Sequence, residues 1–176
     1  RDIVYKKLQD NANFILSYKQ RGVVSPLKND WSMTDYRDWN SHNKDYLTNT
    51  KNLLVVSKLY NQCCFSLVTE TRTTLPFDFV TEKTTQCFIA LHPALYVSNK
   101  DHVQILRDWG FDLFDDIFDH SYDKVVDEQE RIDMLFMKNK AVLTNGFEIT
   151  ENIKNRLLTN RDHYFNNIGK ILIGEA

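Results

Sequence analysis

Glu82 and Lys83 set a carboxylate beside an ammonium where a helix opens, inside the run Phe79-Val80-Thr81-Glu82-Lys83-Thr84. A strand-like run, Phe65-Ser66-Leu67-Val68-Thr69-Glu70, precedes this segment, and a second, Ala94-Leu95-Tyr96-Val97-Ser98, follows it. The N–H groups of a helix N-terminus and a lysine ammonium attract a diphosphate, and a carboxylate accepts from ribose hydroxyls. A Glu-Lys pair between two buried strands therefore suits a sugar nucleotide. The helix dipole offers Lys83 nothing at that end, which favours a purpose beyond solvation.

Glu70 ends the first strand, where open α/β sheets bind ligands. Arg72 follows in the loop and carries the planar fork that pairs with phosphate. The candidate substrate-binding set is thus Glu70, Arg72, Thr81, Glu82 and Lys83, with no catalytic residue assigned and no metal or cofactor expected beyond the donor substrate. The plain alternatives are a capped helix start, a strand-end salt bridge and a solvated loop arginine. Local sequence leaves both sets open.

Other groups read as structural. His92 precedes Pro93 at a helix-to-strand turn and is expected to bond the helix C-terminal carbonyls. Asp115, Asp116, Asp119, Asp123 and Asp127 match no calcium-loop spacing and lack its central glycine, so a solvated acidic loop is expected, with Ser121 and Tyr122 locking it down. The aromatic residues of segment 31–46 are expected to anchor a long loop. Gly-x-Gly-x-x-Gly, the phosphate-binding Gly-Lys-Ser/Thr loop, the Gly-x-Ser-x-Gly elbow and His-Glu-x-x-His are all missing from the sequence.

The chain has 176 residues and a formal charge of −2, long enough for a real core and with no global attraction to nucleic acid. No apolar run approaches the roughly 20 residues of a membrane span. Cys63, Cys64 and Cys87 have neither disulfide-framework nor zinc spacing, which fits a reducing cytosol. The first residue is Arg1 rather than Met, so a leader or a preceding domain is expected upstream.

The elements that must position these groups follow from periodicity. Residues 1–20 read as a helix, 21–50 as a long irregular connection and 51–61 as a helix. Strands are expected at 64–69 and 94–98, helices at 82–91 and 101–109, and a further short strand at Phe111–Phe114. Gly110 stands where a helix C′ glycine belongs. Asp127 with Glu130 forms a capping pair for a helix near 128–142. A last helix covers about 148–172, with Ile153, Leu157, Tyr164, Phe165, Ile168 and Leu172 on its apolar face. The alternation predicts an α/β fold: a parallel, Rossmann-like sheet flanked by helices, with long C-terminal helices. Residues 1–50 form an N-terminal segment, and 51–176 the α/β domain.

Read together, several blocks resemble the donor-binding C-terminal half of a GT-B-type glycosyltransferase, in particular fucosyltransferase-like proteins of phages and large viruses. The blocks are Leu67-Val68-Thr69-Glu70-Thr71, Phe79-Val80-Thr81-Glu82-Lys83-Thr84, His92-Pro93, Leu106-Arg107-Asp108-Trp109-Gly110-Phe111 with Phe114, Asp119-His120-Ser121-Tyr122-Asp123 and Arg131-Ile132. The resemblance implies that Glu82 and Lys83 hold the ribose and phosphates of a nucleoside diphosphate sugar. It likens Glu70 to the family's strand-end glutamate. It also implies an acceptor (a glycan, a protein or a modified DNA base), host cytoplasm as the location, and a first domain or partner chain carrying the acceptor site and the base. In such relatives an acidic residue usually stands where His120 does. A viral structural or accessory protein that keeps the lobe as a scaffold is the alternative.

Overall fold

The computed structural model describes residues 2–8, 63–70, 73 and 80–173. Arg72, the connection with Trp31 and Trp39, the helix expected at 51–61 and all but the first turns of the helix expected at 1–20 lie outside the described residues. The chain divides into two compact units, Arg1–Cys63 and Cys64–Ala176. In the first unit the described element is helix α1, Asp2–Leu8.

The second unit is mixed α/β. Strand β1 (Ser66–Thr69) pairs in parallel with β2 (Ala94–Val97), in the register Ser66↔Ala94 to Thr69↔Val97. Every residue of β2 is buried, as expected for a parallel strand covered on both faces. Helix α2 (Glu82–Ile89) makes the crossover between them. Thr81 starts it by adopting an extended backbone and accepting from the Lys83 N–H at 3.3 Å. Leu91, at φ 55°, turns the chain out of the helix ahead of Pro93.

Helix α3 spans His102–Asp108, and Gly110 follows it at φ 90°, a value glycine adopts without strain. The residue before α3, Asp101, is left-handed and gives no side-chain cap. Asp123, in the 3₁₀ turn Ser121–Lys124, supplies it instead, accepting from the N–H groups of Val103 and Gln104 at 3.0 and 3.1 Å.

Two expectations are corrected here. Phe111–Phe114 is not a strand, so the described sheet has two strands. A side chain holds the backbone of Asp112 instead of a neighbouring strand: Asn160 accepts from the Asp112 N–H at 2.9 Å and donates to the Asp112 carbonyl at 2.6 Å, and Phe114 takes up φ 60°. The helix expected at 128–142 is two helices, α4 (Glu128–Lys138) and α5 (Lys140–Asn145). The break falls at Asn139, whose buried amide holds both backbone groups of Asp119 at 2.9 Å. The capping pair stands: Asp127 accepts from the Glu130 N–H at 2.8 Å.

Helix α6, Glu151–Ile173, packs on α2, burying Ile153, Leu157 and Tyr164, while Phe165 stays half exposed. Phe88 stacks on Phe111 with ring centroids 3.9 Å apart. No helix among the described residues is long and apolar enough to cross a membrane.

Candidate functional site

The carboxyl end of β1 and the N-terminus of α2 meet at Glu70. Its side chain has no exposed surface, yet it is a carboxylate. Burial of such a group requires donors. Thr81 supplies its backbone N–H at 3.1 Å and its hydroxyl, and the Thr84 hydroxyl donates at 2.7 Å. The Lys83 ammonium lies 3.7 Å from the second Glu70 oxygen, 3.1 Å from the Thr81 hydroxyl oxygen and 3.4 Å from Glu82. The sequence-predicted Glu70, Thr81, Glu82 and Lys83 thus converge on one point at the sheet edge.

Their exposure divides the work. Glu82 is half exposed and Lys83 is 29% exposed, so both reach solvent. Glu70 is wholly buried, and its oxygens accept from Thr81 and Thr84. It anchors the helix start that presents Lys83. Arg72 lies outside the described residues.

Behind Glu70 the polar chain continues. Thr84, fully buried, lies 3.4 Å from Nε2 of His102. The Thr84 proton goes to Glu70, so His102 Nε2–H donates to Thr84 and Nδ1 is left bare. That Nδ1 is buried with no hydrogen-bond partner among the described residues. Burial pushes the His102 imidazole down to about 4, against the pull of the Glu70 charge. His102 was not singled out from sequence; it sits in a polar stretch, and its buried setting comes from the tertiary approach of Thr84 and the Tyr96 ring.

His92 bonds the last turn of α2 as expected, through its backbone N–H, which donates to the Cys87 carbonyl at 2.9 Å. Its Nδ1 pairs with the Ser66 hydroxyl at 2.8 Å. Burial raises the Cys87 thiol to about 12, leaving it unreactive.

Asp115, Asp116, Asp119 and Asp127 lie exposed on the acidic stretch, as expected, and of the five only Asp123 is buried. Arg107 holds Asp115 in a two-point bond, and His120 joins it at 2.8 Å. Arg156 bridges Asp112 and Asp116 and lies 4.5 Å from the Phe114 ring centroid. Asp123 and Asp127 are helix caps. These arginine bonds hold Asp112, Asp115 and Asp116 below the usual carboxylate range. An open depression of about 560 Å³ lies over Arg107, Asp115, His120, Ser121 and Lys124. The His120 imidazole borders it but is buried, which lowers its proton affinity. Among the described residues, no three His, Cys, Asp or Glu side chains come together as a metal ion would require.

No protein-family model, no curated protein and no solved structure matches this chain.

Proposed function

We propose that the second unit is the donor-binding lobe of a glycosyltransferase, Rossmann-like in the manner of the GT-B C-terminal half, that binds a nucleoside diphosphate sugar. The observation that carries this reading is the position of Lys83. Its ammonium stands at the N-terminus of α2, on the carboxyl edge of a parallel strand pair, between Glu70 and Glu82. Ligands of open α/β folds bind at that edge. Lys83 and the helix N–H groups would stabilise the leaving diphosphate, and Glu82 would accept from the ribose. Arg72, close by in sequence, is a further phosphate partner. The acceptor (a glycan, a protein or a modified DNA base) and the base that activates it would come from another domain or chain.

A second reading is a non-catalytic scaffold or binding module, such as a viral accessory protein. The saturation of Glu70 by Thr81 and Thr84 favours it, because a carboxylate so engaged already has a structural purpose.

Calorimetry with a nucleoside and its diphosphate separates the two. Lys83→Ala should weaken the diphosphate by about 1.5–3 kcal/mol, the worth of a charge-assisted hydrogen bond, and spare the nucleoside. Glu82→Gln should weaken both equally. A wild-type protein that binds neither ligand would leave the scaffold reading.

A further inference from the structure

The candidate site has one feature that ligand contact alone does not explain: a line of polar groups leading inward from the part-exposed Lys83 to the buried Glu70, Thr84 and His102. We propose that His102 is the proton acceptor of the donor site, taking up a proton when Lys83 turns its charge from Glu70 to a bound diphosphate. This inference rests on the donor-site reading above.

Charge balance motivates it. Glu70 is wholly buried, and among the described residues Lys83 is the cation within ion-pair distance of it. The Lys83 side chain is 29% exposed, so its ammonium can be reached by a ligand from solution. A bound diphosphate would draw that ammonium toward itself and add its own negative charge. Glu70 would then be a buried carboxylate without a cation, which is strongly unfavourable. A proton on a nearby base restores neutrality.

The geometry names the base. Thr84 of α2 lies 3.4 Å from Nε2 of His102 and the Tyr96 ring of β2 at 5.4 Å; the charged groups nearby are Glu70 at the end of β1, reached through Thr84, and Asp123 of the 3₁₀ turn, which holds the next two N–H groups of α3. Burial keeps the Tyr96 phenol neutral. Asp123 is held by backbone N–H groups, and its proton affinity is raised by burial. His102 offers a bare Nδ1, and its Nε2–H is already directed through Thr84 toward Glu70. Protonation at Nδ1 leaves the Thr84 and Glu70 hydrogen bonds intact and places a positive charge behind the carboxylate. The proton comes from water, so binding is written as protein plus ligand plus a proton giving the protonated complex.

The experiment is titration calorimetry with UDP-glucose and with GDP-mannose at about pH 6.5, near the ordinary histidine value, in phosphate and in imidazole buffer. The phosphates of these sugar diphosphates are fully ionised there, so proton uptake belongs to the protein. The wild type should show a heat that depends on the buffer. Its affinity should rise as pH falls, by up to about tenfold for each unit by which binding raises the histidine. His102→Gln keeps a donor to Thr84 but cannot take the proton. It should bind with no buffer dependence.

Thr84→Val should reduce the proton uptake, and Thr84→Ser should restore it. Nitrogen-15 spectra of the wild-type imidazole provide a check that needs no variant: Nε2–H alone without ligand, both nitrogens protonated with it. Binding without buffer dependence, or unchanged dependence in His102→Gln, overturns the role of His102 and leaves the donor site standing. Failure of the wild type to bind either sugar nucleotide overturns the donor site itself.

Discussion

Arg131 donates from Nε to the carbonyl of Ser98 at 3.1 Å, tying helix α4 to the carboxyl end of β2. Its other donors reach the carbonyls of Val125, Val126 and Thr73 at 2.7, 3.1 and 2.8 Å. A buried guanidinium is thereby spent on backbone carbonyls from three segments, which places it as a clamp on the sheet edge. Burial lowers its proton affinity, yet an arginine stays charged.

Arg131→Met should therefore destabilise the fold by about 3–5 kcal/mol, because it leaves several buried carbonyls unsatisfied. Arg131→Lys should recover only part, since an ammonium cannot span the same fork. Urea unfolding curves of the three proteins give the comparison, and equal stability of the methionine variant would refute the clamp.

Glu70→Gln should cost on the order of 1.5–3 kcal/mol, because an amide accepts more weakly than a carboxylate and sets a donor against the Thr81 and Thr84 donors. The loss should show in the urea midpoint without any ligand present. A neutral result would mean that Glu70 does not hold the start of α2.

Stability should fall on the acid side of neutrality. The sign follows from His102, whose folded value of about 4 lies below the unfolded value near 6.5. Between those two values the unfolded chain binds more protons, so stability rises with pH across that window and is lost as pH falls through it. His120 is shifted in the same direction and adds to the effect. His102→Gln should flatten the slope of urea midpoint against pH between about 6.5 and 4, and a slope that persists unchanged would point to other groups.

Gly146 has φ 64° and ψ −158°, and a Cβ there would lie 2.8 Å from Sγ of Cys64. Gly146→Ala should cost about 1–3 kcal/mol from backbone strain, with the contact adding to it. Adding Cys64→Ala should return only the contact part. Thermal denaturation of the single and double variants separates the two contributions.

Cys87, buried with its thiol raised to about 12, should resist iodoacetamide in the folded protein, whereas the half-buried Cys64 reacts. Mass spectrometry before and after denaturation reads the difference, and prompt native labelling of Cys87 would contradict its packing.

The features legible in the chain were those whose partners lie within a few residues. Thr81 and Asp127 cap helices through N–H groups two and three positions on. Gly110 closes α3 at a positive φ, and the apolar runs marked both parallel strands. The convergence of Glu70, Glu82 and Lys83 was legible too, because a strand end and the following helix start meet at one edge of such a fold. Packing decided the rest. Asp123 caps a helix 20 residues back, Asn139 holds Asp119 across 20 residues, and Asn160 holds Asp112 across 48. Periodicity carries no trace of such bonds, since a side chain that satisfies a distant backbone group looks in sequence like any polar residue. For the same reason the sequence marked Glu70 as an acid at a strand end, and only the tertiary structure, by burying it beneath two threonines and a lysine, decided that it anchors the start of the helix.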